Sequence, residues 1–137
     1  MLDGPLSGSI PGRIQERGLA AIQIHDLRQW GLGRHRSVDD YPYGGGAGMV
    51  LRPEPVAAAL DALRRPDSTV ILLDPVGEMF RQARAHELAT GPHLIFVCPR
   101  YEGVDERCVV AIQQFRQVRL ACWLRRYSNQ LESWRTP

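Results

Sequence analysis

No lysine occurs in this chain; all 17 basic side chains are arginine. Arginine-only usage suits phosphate recognition, because the guanidinium fork matches phosphate oxygens. The plainer reading is a biased genome base composition, which produces the same usage. Cysteine is scarce, with Cys98, Cys108 and Cys122 only. Their odd number and spacing fit neither a disulfide framework nor a zinc knuckle, so reduced thiols are expected and no metal is assigned. No apolar run approaches the roughly 18 residues of a membrane span, so no membrane partner is expected. The opening MLDGPLSGSI has neither a basic start nor an apolar core, so no secretory signal is read and a cytoplasmic location is expected.

What is present suits one soluble domain. The chain has 137 residues, 44% hydrophobic and 23% charged, which is long enough to bury a core. Charge is uneven. Residues 1–107 hold 12 Arg against 14 Asp and Glu, a net of −2; residues 108–137 hold 5 Arg against 1 Glu, a net of +4.

Periodicity gives the elements. Ser9–Arg17 reads as a short helix with Ser9 as N-cap and Gly18 as its stop. Leu19–His25 reads as a strand with Ile22 and Ile24 on one face. Arg28–Gly48 reads mostly as loop. Pro53–Arg65 is the clearest helix, with Val56, Ala59, Leu60 and Leu63 at helical spacing and Pro53 at its start. Thr69–Leu73 and His93–Cys98 are apolar, β-branched runs suited to buried parallel strands. Glu78–Ala89 between them is helical in propensity. The order predicts an α/β domain with a largely parallel sheet flanked by helices. After Cys108 no period is firm, so residues 108–137 form a divergent tail beside a domain of residues 1–107.

Three glycine-bearing segments point to one site. Asp39–Val50 (DDYPYGGGAGMV) carries four glycines in five positions, which is costly unless the backbone must bend or meet something closely. Leu73–Gly77 and Cys98–Gly103 each follow a strand, where open α/β sheets bind ligands. Ordinary strand–helix turns are the alternative. The glycine loop has no G-x-x-x-x-G-K-[ST] pattern and fails G-x-G-x-x-G at Met49. Arg34-His35-Arg36 is a basic cluster able to hold a nucleic-acid backbone, or simply a solvated loop. His25, His86 and His93 lack metal-ligand spacing and read as structural. Asp39, Asp40, Asp105 and Glu106 are the acidic candidates for proton transfer.

At these residues the chain resembles the bacterial tRNA (guanine-N1)-methyltransferase family, TrmD. The likeness runs from Asp3 to Arg107 through GPLSGSIPGRIQERGL, VDDYPYGGGAGM, LLDPVGEMFRQARAHELA and VCPRYEGVDER. The resemblance implies a SPOUT-like α/β fold with a trefoil knot, a homodimer, and transfer of a methyl group from S-adenosyl-L-methionine to N1 of guanine 37 in tRNA. It implies a donor pocket lined by Leu72, Leu73, Asp74, Pro75 and Gly77, with Pro99, Tyr101, Glu102 and Gly103 on its other side. Tyr43, Gly44, Gly45 and Gly46 are expected near the donor and the target base. Arg34, Arg36 and Asp40 are expected on the tRNA side. The family's proton-accepting carboxylate and its arginine lie beyond the matching region, so no catalytic residue is assigned. The chain departs from the family pattern at Pro99, which has no N–H, and at Asp74, where serine is usual. No counterpart of the Gly-Gly-Glu loop follows Arg107. The expectation is therefore an impaired or inactive methyltransferase, or else a non-catalytic tRNA-binding or dimerisation remnant.

Overall fold

A computed structural model describes residues 3–42, 45, 48–99, 104, 105, 107 and 116–121. Tyr43, Gly44, Gly46, Arg100, Tyr101, Glu102, Gly103 and Glu106 lie outside the described residues, as does the tail apart from residues 116–121.

The chain opens with two helices, α1 (Asp3–Ser7) and α2 (Ser9–Glu16). The expected helix is there, but Ser9 is not its N-cap. Gly8 holds that position without a side-chain cap bond, because α1 runs up to Ser7 and the chain must turn sharply between the helices. Ser9 takes a left-handed φ of 51° in that turn. Gly18 stops α2 as expected. Its φ is 65°, its N–H donates to Gln15 O, and Leu19 N donates to Ile14 O. Those two bonds make a Schellman end, which satisfies carbonyls the helix leaves open.

The expected strand at Leu19–His25 is not one. The segment lies in no sheet and no helix, and Leu19 is 72% exposed. Alternating apolar residues suit a strand, but a strand exists only where a neighbour takes its N–H and C=O groups. Apart from Ile14 O, which takes the Leu19 N–H as part of the helix end, no described residue pairs with this segment as a strand neighbour.

A 3-10 turn (Leu27–Trp30) follows, capped by Asp26, whose side chain accepts from Arg28 N. Two short strands, β1 (Asp39–Asp40) and β2 (Val50–Leu51), pair antiparallel and enclose the glycine-rich segment. The helix α3 (Pro53–Leu63) begins on proline and buries Pro55, Val56, Ala59 and Leu60. It ends two residues earlier than expected because Pro66 drives Arg65 out of helical geometry.

The main sheet has three parallel strands in the order β4-β3-β5. β3 (Ser68–Met79) is central, β4 (His93–Val97) flanks one side, and β5 (Arg116–Ala121) the other. Helix α4 (Gln82–Ala89) links β3 to β4. The helix expected from Glu78 starts four residues later, since Glu78 and Met79 still pair with β5. Val70, Ile71 and Leu72 are fully buried. Val70 packs with Val38, Leu51, Val56 and Leu60 on the α3 face, and Ile71 with Leu88 on the α4 face. Helices thus cover both faces of a parallel sheet, which is the expected α/β class. A central strand buried on both sides reads as an unbroken apolar run.

Candidate functional site

Parallel pairing sets the site's position. Leu72 sits beside Val97 at the last rung of the β3–β4 pair, so Leu73–Gly77 and Cys98–Pro99 both continue beyond the carboxyl end of that pairing. That end is where α/β sheets hold ligands.

The β3 exit is irregular. Leu120 of β5 pairs with both Leu73 and Glu78. Asp74, Pro75, Val76 and Gly77 therefore have no counterparts in β5 and bulge out of the ladder between those two contacts. Bulges of this kind re-aim backbone beside functional sites. Leu73, Asp74 and Gly77 are half-buried, while Leu72 is inside the core and can offer such a site only its main chain.

The other two segments are tied to one another. Val104 forms a parallel bridge to Leu51, and Asp105 N donates to Leu51 O at 3.2 Å. Val104 is thereby fastened to the stem of the glycine loop. Leu51 itself is 5% exposed and belongs to the core. Arg107 holds the Asp105 carboxylate through its backbone N–H, its Nε and its Nη2. Those bonds keep the carboxyl below the usual carboxylate range, the side-chain bond contributing most.

The stem has its own clasp. Arg52 N donates to Val38 O, and the Arg52 guanidinium meets Asp40 at 3.3 Å and Glu54 at 3.4 Å. Within the loop, Gly45 N donates to Pro42 O, and Gly45 and Gly48 have φ of 81° and 102°. A side chain is strained at such angles. Arg52 and Val104 were not singled out from sequence. The apolar run Met49-Val50-Leu51 directly after the glycines was the available signal.

Of the expected residues, Asp74, Gly77 and Pro99 lie beyond the carboxyl end of the β3–β4 pairing. Asp40 and Gly45 lie on the loop whose stem is bridged to Val104. Arg34 and Arg36 stand on a separate hairpin. A hollow of about 230 Å³ lined by Leu6, Ser7, Gln15, Ile22 and Ile24 shares none of these residues. The histidines make structural contacts: His93 with Ser68, His86 with Gln82, and His25 beside Trp30. Among the described residues no group of three His, Cys, Asp or Glu side chains is placed to hold a metal ion.

A family model for tRNA (Guanine-1)-methyltransferase TrmD matches residues 1–120. The chain belongs to the TrmD family. Its TrmD relatives include the tRNA (guanine-N(1)-)-methyltransferase of Chloroflexus aggregans, 54% identical over 110 residues. That alignment covers 78% of this chain and 43% of the relative. The protein of the same name from Dictyoglomus turgidum is 51% identical over 107 residues, covering 78% and 44%. The one from Clavibacter sepedonicus is 50% identical over 119 residues, covering 85% and 52%. The chain thus spans about half or less of the length of these curated relatives. The TrmD match also passes Arg107 and takes in most of β5, the strand that clasps the Asp74–Gly77 bulge.

Proposed function

We propose that this chain forms the donor-binding part of a tRNA (guanine-37-N1)-methyltransferase, with S-adenosyl-L-methionine as methyl donor. The observation that carries the reading is the bulge at Asp74–Gly77, opening beyond the same end of the β3–β4 pair as Pro99 and pinned by Leu120 on both sides. Backbone outside the ladder at Val76 and Gly77 offers N–H and C=O groups to an adenosine edge, and Gly77 lets the ligand approach closely. In this reading Leu72, Leu73, Asp74, Pro75 and Gly77 hold the donor from one side. Pro99, Tyr101, Glu102 and Gly103 hold it from the other, all within residues 1–107. Tyr43, Gly44, Gly45 and Gly46 close over it and over the guanine. Asp40, held by Arg52, keeps the loop stem in place.

The donor supplies an electrophilic methyl carbon. Held by Leu72, Leu73, Asp74, Pro75 and Gly77, the donor would pass that methyl group to guanine N1 and depart as S-adenosylhomocysteine, the N1 proton going to a carboxylate that the resemblance puts outside residues 1–107. The chain's own work is to hold the two partners in line, which is catalysis by proximity. A homodimer and a cytoplasmic location belong to the same reading. In the described residues no helix is long and apolar enough to cross a membrane.

Titration calorimetry with S-adenosylmethionine tests it. Saturable one-site heat, lost in Gly77→Val, is the expected result. Absence of heat from a chain that melts cooperatively sinks the donor reading. A second reading, tRNA binding without methyl transfer, is favoured by the exposed cations of the Arg34–Arg36 hairpin, which meet no acid among the described residues. Salt-dependent tRNA retention without donor heat would select it.

A further inference from the structure

The hairpin at residues 32–37 is more tightly built than a solvated loop requires. Leu32 and Ser37 exchange both backbone bonds, at 2.8 and 2.9 Å, and Arg36 N donates to Gly33 O at 3.2 Å. Leu27 packs against the core before it, and Val38 is buried in the core after it. A Cβ on Gly31 would collide with the Arg36 carbonyl, so the base of the hairpin closes only on glycine. Arg36 adopts a left-handed φ of 49°, an angle that disfavours an arginine when glycine would fit without cost. Arg34, His35 and Arg36 are all exposed. Neither arginine meets an acid among the described residues, whereas Arg52, Arg64, Arg84 and Arg107 all do.

We propose that this hairpin is a preformed phosphate clamp, in which Arg34 and Arg36 grip the backbone of a structured RNA stem without reading its sequence. The inference rests on the tRNA side of the proposed function and deepens it. Strain at a cation that has no protein partner is retained where the cation must point in one direction. Arginine held this way binds phosphate oxygens through its planar fork, and each contact releases counterions from the RNA. Acidic protein would also meet such a clamp, and the polyglutamate arm of the test separates it from RNA.

The test is equilibrium binding of the full chain to an anticodon-stem hairpin RNA between 50 and 300 mM salt. The variants are Arg34→Gln, Arg36→Gly and the pair together. Each arginine removed should lower the slope of log K against log salt by about 0.9, equally for stems of different sequence. Arg36→Gly removes the charge and the strain together, so its melting temperature should hold or rise while RNA affinity falls. Unchanged slopes in the double variant overturn the clamp. So does full displacement of RNA by polyglutamate at equal charge concentration. Donor heat measured on the same variants separates the two proposals. Heat retained with unchanged slopes counts against the clamp alone, and lost slopes with no heat in any variant count against the donor site alone.

Discussion

Ser68 Oγ lies 2.6 Å from His93 Nδ1, across the first rung of the β3–β4 pair. The same hydroxyl accepts from Arg65 N at 2.7 Å. One nearly buried oxygen therefore joins the end of the α3–β3 turn to the start of β4. Replacing Ser68 with alanine strands Arg65 N and the ring nitrogen together. A loss of about 1–3 kcal/mol is expected, because unmet polar groups cost more than a bond contributes. Urea melts of Ser68→Ala against wild type check it, and a loss below about 0.5 kcal/mol would count against the coupling.

Ile71 is fully buried between β4 and β5 and packs on Leu88. Ile71→Ala should cost about 2–5 kcal/mol through lost burial and the cavity left behind. Exposed Phe96, its neighbour on β4, should cost far less as Phe96→Ala. Paired thermal melts measure the contrast.

Arg107 depresses the Asp105 carboxyl, through the side-chain bond first and its backbone N–H second. A carboxyl lowered on folding stabilises above the unfolded value near pH 4 and loses that contribution as pH falls through the lower folded value. Arg107 is 71% exposed, so solvent screening limits the effect to about 1 kcal/mol or less. The stability curves of wild type and Arg107→Met should therefore differ at neutral pH and converge in acid. Parallel curves down to pH 2 would exclude this linkage.

Gly31→Ala should disturb the hairpin without touching a cation, because its new methyl meets the Arg36 carbonyl. RNA affinity should fall several-fold with both arginines still present. Gly33→Ala has open space around it but a φ of 66°, so its effect should be the smaller. RNA titration of the two variants ranks them.

Much of the fold was legible where one residue pattern admits one structure. Val56, Ala59 and Leu60 at helical spacing, opened by Pro53, fixed α3. The run from Thr69 to Leu73 fixed the centre of the sheet. The strand expected at Leu19–His25 failed because alternation reports a face, not a neighbour. β5 went unseen because Arg116–Ala121 mixes arginine with apolar residues, and its pairing with β3 is settled by distant chain. Likewise, the glycine loop and the two strand-end turns could be singled out from composition. The bridge from Val104 to Leu51 could not, since nothing local in either residue names its partner.

The order β4-β3-β5 also has a kinetic meaning. The middle strand is synthesised before either neighbour: Val70 waits for Ile95, and Thr69 waits for Arg116. During translation its most insoluble stretch emerges from the ribosome with both flanks open, a hazard for any nascent chain. The first helix-linked partner closes one flank early, but the second arrives only once residue 116 has been made. Slow translation before codon 116 should then favour aggregation over maturation of this protein.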